Sequence, residues 1–155
     1  MCNNSPLVGL LQTALNNPIE SSRLLQQQKK LQEIMNDIPA RQWLFQQACQ
    51  TDDLNQAKRA KDLIINMMRS SRLIWYGGGI SPDVYSEALS RTWIWFIEHF
   101  REYNPILASF VTWFNNKLKR GMIQDVIQER AKEQKRRLNL VADEEDNESM
   151  VTNQF

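Results

Sequence analysis

The chain has 155 residues, 42% hydrophobic and 24% charged, which is enough for one domain with a real core; no apolar run approaches the roughly 20 residues of a membrane span. The formal net charge of +1 conceals a partition: residues 1–53 carry 4 basic and 5 acidic side chains, residues 54–137 carry 15 and 8, and residues 138–155 carry 0 and 5. A basic middle is the electrostatic footprint of a polyanion partner, and Cys2 and Cys49, far apart and in no CxxC pair, exclude a disulfide framework or zinc site.

With only 5 Gly and 5 Pro and few alternating β-branched residues, the composition points to an all-α fold. Residues 7–15 form an apolar helix after Pro6. Asn17 as N-cap and Pro18 at the first helical position open a second helix, which runs to about Asn36 with Leu24, Leu31, Ile34 and Met35 inward and Gln26 to Gln28 on a solvated face. Pro39 starts a third helix carrying Trp43, Leu44, Phe45 and Ala48. These helices read as a lead-in, residues 1–51, with no chemistry of its own.

Asp52 or Asp53 caps the next helix, which runs through about Tyr76 on a stripe of Leu54, Ala57, Ile64, Met68 and Trp75. Gly77 to Gly79 end it; with no Gly-Lys-Ser/Thr following and no strand before, they read as a connection and not as a phosphate loop. Ser81 and Pro82 open a helix through about Phe100, with Val84, Ala88, Leu89, Trp93, Phe96, Ile97 and Phe100 inward. Trp95, two residues from Trp93, turns to another side and is expected to pack against the N-terminal helices. Asn104 and Pro105 repeat the cap-and-proline device and begin a helix extended past Gly121 by Met122, Ile123, Val126 and Ile127. RAKEQKRR, residues 130–137, is its solvated end. The last stretch, residues 138–155, is acidic and aperiodic and reads as a disordered, flexible tail. Such a tail either stays solvated or folds over the basic helix in competition with a polyanion.

Within that helix SFVTWFNNKLKR, residues 109–120, joins chemistry to pattern. Phe110, Trp113 and Phe114 recur at three and four, and Lys117, Lys119 and Arg120 follow within two turns. π-faces beside cations can hold unstacked bases next to a phosphate backbone; the same pattern also describes a helix that buries its aromatics and solvates its lysines. Asp83 and Glu87 lie one turn apart with no metal ligand or nucleophile beside them, and His99 is the single histidine, so the pattern points away from an enzyme, a metal or a cofactor.

The order of the pieces adds to this. A basic helix (AKRAKDLIINMMRSSRLIWY) and a glycine loop precede DVYSEALSRTWIWFIEHF and then YNPILASFVTWFNNKLKR. Over roughly residues 54–128 this resembles the second conserved region of bacterial sigma factors, including short cyanobacterial sigma-like proteins. Asp83 and Glu87 match the family's aspartate-x-x-x-glutamate helix start. Tyr103, Asn104 and Pro105 match its Phe-Asp-Pro-x-x-Gly turn, and Ser109, Phe110, Thr112 and Trp113 match the serine, aromatic and Thr-Trp pair that follow. Leu107 and Ala108 depart from the turn, and Lys117 and Arg120 stand where housekeeping factors carry a glutamine and a threonine for duplex readout.

The resemblance implies a compact helical bundle over residues 52–137, with extra N-terminal helices and the acidic tail. It implies a sigma-like initiation factor that binds core RNA polymerase and recognises or holds open the minus-ten promoter region, in keeping with the cytoplasmic location expected from the two unpaired cysteines. The DNA-binding residues would be Ser109, Phe110, Thr112, Trp113, Phe114, Lys117, Lys119 and Arg120. Phe110 would stack a flipped base of the single-stranded non-template strand, Trp113 and Phe114 would wedge the bubble edge, and the cations would hold phosphates. Asp83, Ser86 and Glu87 would dock on the clamp helices of the polymerase's largest subunit. Nothing after residue 137 is expected to form a helix-turn-helix for the minus-thirty-five element. The alternative is a helical interaction module that binds polymerase or a regulatory protein without opening the promoter.

Overall fold

The computed structural model describes residues 5–152, with side chains through residue 144, and every regular element among the described residues is helical. The helices are α1 (Pro6–Asn16), α2 (Pro18–Leu25), α3 (Gln28–Asn36), α4 (Ile38–Cys49), α5 (Leu54–Ser71), α6 (Pro82–Glu98), α7 (Phe110–Lys117) and α8 (Ile123–Thr152). A single 3-10 turn, Phe100–Glu102, follows α6, and a π turn, Leu118–Met122, joins α7 to α8. No described helix is long and apolar enough to cross a membrane.

Cap chemistry sets the starts of the N-terminal helices. Ser5 Oγ accepts from the Leu7 amide at 3.3 Å and donates to Asp37 Oδ2 at 2.9 Å, while Asp37 Oδ2 accepts from the Ala40 amide at 3.1 Å. One hydrogen bond thus ties the first turns of α1 and α4 together. Asn17 caps α2, with Pro18 in the first turn, where its missing N–H costs nothing. Of the two candidate aspartates, Asp53 caps α5: its Oδ1 accepts from Asn55 and Gln56 amides at 3.0 and 3.2 Å.

Helix ends depart from the sequence expectation at four places. The run from Pro18 to Asn36 is two helices, because Gln27 leaves helical geometry (φ −102°, ψ 81°) and the glutamines sit at the break. The fifth helix stops at Ser71, not Tyr76. Arg72 adopts the left-handed conformation (φ 60°), and Ser71 Oγ turns back to donate to the Met68 carbonyl at 2.7 Å. Trp75 therefore lies off the helix, and Leu54, expected inward, is exposed. At Asn104–Pro105 the cap-and-proline pair makes a turn, with Asn104 Oδ1 accepting from the Ile106 amide at 3.0 Å; the helix waits for Ser109. Finally, residues 138–152 continue α8 where the sequence predicts a disordered acidic tail. Neither Gly nor Pro interrupts the chain after Gly121, and Glu133 pairs with Arg136 and Arg137 at helical spacing, so nothing local ends the helix. Residues 153–155 of the expected tail, and Cys2, lie outside the described residues.

The core runs through both halves. Helix α5 packs against α1 to α4, while α6 packs against α7, the π turn and α8. Leu11, Leu31, Ile34, Met35, Leu44, Ile64, Met67 and Met68 fill the first group; Phe96, Phe110, Phe114 and Leu118 fill the second. Phe45 of α4 joins them, with ring centroids 5.6 Å from both Phe100 and Tyr103. Fully burying a Leu- or Phe-sized side chain contributes about 1.5–3 kcal/mol; Phe45 is half-buried, so this bridge between the lead-in helices and the basic domain contributes part of that.

The π turn has a packing consequence. The Ile123 amide donates to the Leu118 carbonyl, five residues back, and Leu118 and Ile123 are both buried. In a continuous α-helix residues five apart diverge around the axis; the widened turn brings them to one face. The extra residue re-phases the chain, leaving Lys119 and Arg120 outward on the shoulder between α7 and α8.

Candidate nucleic-acid interface

Helix α7 starts at Ser109, whose Oγ accepts from the Thr112 amide at 3.0 Å and donates to Thr112 Oγ1 at 3.0 Å. The Ser109 side chain matched to DNA contact thus serves first as the helix cap, and the exposed Thr112 hydroxyl accepts from it. Phe110 and Phe114, four apart, point to the same side; Phe114 meets the aromatic face of α6 and Phe110 meets the rings that follow α6. Phe110 lies between Tyr103 (centroids 4.3 Å, planes 22° apart) and Phe100 (5.9 Å, 10°), and Phe114 lies against Trp93 (4.4 Å). Each is 0% exposed. The π-faces of Phe110 and Phe114, expected to stack a base and to wedge a bubble, are occupied by other rings in the core of this structure.

Tyr103 holds this arrangement from beneath. Its hydroxyl donates to the Ala108 carbonyl at 2.6 Å, and burial pushes its phenol well above the ordinary range. The turn 104–107 is clasped from the other side by Arg41, a buried guanidinium that the sequence does not reveal: Nε donates to the Pro105 carbonyl at 2.9 Å and Nη1 to the Met35 carbonyl at 3.3 Å.

Trp113 is the member of the aromatic set that remains half-buried at the surface. Its ring lies 4.5 Å from Trp95 and 5.3 Å from Tyr103, and Lys117 Nζ sits 5.5 Å over the Trp95 ring. His99 stacks on Trp95 at 5.8 Å and 22°. Trp95, expected against the N-terminal helices, is therefore part of a surface ledge running His99, Trp95, Trp113, Lys117. One pair of tryptophans, one turn of α7 and one cation make a π-surface beside a positive charge.

A second group lies on the other flank of the α7–α8 junction. Asn115 Oδ1 accepts from the Trp75 amide and its Nδ2 donates to the Leu73 carbonyl, both at 2.9 Å, pinning the segment after α5. Lys119 Nζ sits 5.5 Å over the Trp75 ring, and the Arg69 guanidinium lies 4.8 Å over Trp93. Tyr85 Oη donates to the Trp75 carbonyl, so Trp75 is held by two elements at once. Lys119 and Arg120 are exposed between the two groups. Trp75, Arg69 and Trp95 are the contributors that sequence spacing did not single out, because loop geometry and packing between helices bring them there.

The acidic patch on α6 is not free. Asp83 and Glu87 both pair with Arg130 of α8, Glu87 at 3.9 Å, and Glu87 also meets Arg91 at 3.1 Å. Arg91 bridges to Glu129 at 2.7 Å, which holds the Glu129 carboxyl below its ordinary range and raises the guanidinium further. Ser86 is exposed beside this network. No group of three or more metal-ligating side chains occurs among the described residues. Cys49 is half-buried, and burial pushes its thiol up.

Comparison of the chain with protein-family models, with curated proteins and with solved structures finds no match.

Proposed function

We propose that the chain is a sigma-like transcription initiation factor, a binding protein and not an enzyme, that engages core RNA polymerase and holds single-stranded minus-ten DNA. The observation that carries this reading is the half-buried Trp113–Trp95 pair under Lys117, next to exposed Lys119 and Arg120. In this geometry the stacking role passes from Phe110 to the half-buried Trp113, with Trp95, which already carries His99 and Lys117 on its ring, as its support. Base–aromatic stacking is worth about 1–3 kcal/mol per base, comparable to the unstacking cost of a flipped base. Lys117, Lys119 and Arg120 supply phosphate contacts without sequence information.

On this reading the polymerase meets Asp83, Ser86 and Glu87, and must displace Arg130. Exposed pairs of this kind contribute about 0–1 kcal/mol, so a basic partner helix can outcompete them. The experiment is a core-polymerase pull-down followed by single-strand binding, read by tryptophan fluorescence at low and moderate salt. Binding to both, weakened by salt and by Trp113→Ala, is the expected outcome; failure to bind either at low salt ends the reading.

The alternative, a helical interaction module that binds polymerase or a regulator without opening DNA, is favoured by one observation: Phe110 and Phe114 are wholly buried. It retains the pull-down, and single-strand binding is then insensitive to Trp95→Ala and Trp113→Ala.

A further inference from the structure

Helix α8 is 30 residues long, about 45 Å, yet its ties to α6 end at Glu129 and Arg130. From residue 134 to residue 144 every side chain is exposed. A helix solvated all round is marginal in water, and acidic residues near its C-terminus oppose the helix dipole; here the sequence ends the helix with Asp143, Glu144 and further acids at 145, 146 and 148. Both features are costs that a partner helix would remove.

Two patterns on α8 say which partner. Ile127, Ala131, Gln134, Leu138 and Val141 recur at spacings of four, three, four and three, the seam of a two-helix pair, and Leu138 and Val141 are 63% and 50% exposed. Along the same helix the charges separate into a mostly basic block (Lys132, Lys135, Arg136 and Arg137, with Glu133 paired to both arginines) and an acidic block from Asp143 onward, with the apolar residues between them. Basic-then-acidic about an apolar centre is self-complementary only when the second helix runs the other way. We propose that α8 is a self-association helix, whose partner is the α8 of a second copy of this chain, packed antiparallel about a two-fold axis between residues 139 and 140. Leu138 of each copy then lies opposite Val141 of the other, Lys135 lies opposite Glu144, and Arg137 lies within two residues of the level of Glu144. The basic block of one copy also covers the acidic, dipole-opposed end of the other. This inference is independent of the promoter-binding reading.

The test is a charge swap on the full chain, read as mass by light scattering during gel filtration at low salt. The wild type is expected to run at twice 18.2 kDa as concentration rises and to return to monomer with added salt. Lys135→Glu with Arg137→Glu, and separately Asp143→Lys with Glu144→Lys, each place like charges opposite one another and are expected to weaken association about tenfold or more. Mixing the two variants restores every pairing and is expected to give a heterodimer. All four positions are exposed, so circular dichroism of each variant should match the wild type. A wild type that stays monomeric at the highest concentration overturns the proposal. So do a dimer unaffected by either swap and variants that fail to combine.

Discussion

Arg41 of α4 donates from Nε to the carbonyl of Pro105, 64 residues further along the chain, at 2.9 Å. The same guanidinium donates to the Met35 carbonyl, so one buried cation holds the end of α3 and the turn that delivers α7. The aromatic ledge is positioned through this clasp, because Ala108, Ser109 and Tyr103 all lie next to the turn.

Replacing Arg41 by Met keeps much of the volume and removes every donor. The Pro105 and Met35 carbonyls lose their partner, and a hydrogen bond to a charged group is worth about 1.5–3 kcal/mol. Arg41→Met is therefore expected to lower stability by about 2–4 kcal/mol. Urea unfolding checks it, with the midpoint moving at constant slope.

Gly77 has φ +79°, and a Cβ there would stand 2.5 Å from the Tyr85 ring, which cannot swing away because its hydroxyl is bonded to the Trp75 carbonyl. Gly79 has φ +82° but open space around it. Gly79→Ala should cost about 1 kcal/mol from backbone conformation alone. Gly77→Ala should cost more, about 2–3 kcal/mol, since the clash adds to the strain. Equal shifts in thermal midpoint for the two variants would refute the close approach.

Phe110 and Trp113 should separate stability from binding. Phe110→Ala empties a fully buried site and is expected to destabilise by about 3–5 kcal/mol. Trp113→Ala, at a half-buried site, should cost less stability but weaken single-strand binding by about 1–3 kcal/mol. Lys117→Ala should reduce the salt dependence of that binding by about one unit of slope. Parallel denaturation and binding titrations check the separation.

Tyr103 predicts a pH dependence. Its pKa is raised in the fold above the ordinary value of 10.0, chiefly by burial, while Arg41 opposes the shift. The unfolded chain therefore loses this proton at lower pH than the folded chain. The sign follows: the stabilisation is fully present below pH 10.0 and is lost as pH rises from there through the folded pKa. Alkaline unfolding curves should flatten in Tyr103→Phe, and tyrosinate absorbance should lag for one residue in the folded wild type.

Helix class and most helix starts are legible along the chain. Asn17–Pro18 and Asp53 mark their first turns because capping involves only side chains and amides within a few residues; Pro82 marks the start of α6 by its fixed φ, since Ser81 makes no side-chain cap bond. Charge partition is equally local, and so is the proximity of aromatics to cations between Ser109 and Arg120. Packing between distant elements is not legible in this way. Four-residue spacing places Phe110 and Phe114 on one side, but α6 with Tyr103 makes that side the interior and leaves Trp113 at the surface with Trp95. The Asn104–Pro105 pair carries helix-start chemistry, yet the Arg41 clasp holds its carbonyl in a turn. Asp83 and Glu87 form an acidic patch in sequence; the re-phasing at Leu118–Met122 and the run of α8 along α6 bring Arg130 onto them. Periodicity within one helix assigns a side chain to a face, and only the neighbouring helices determine whether that face meets water, another ring or an opposite charge.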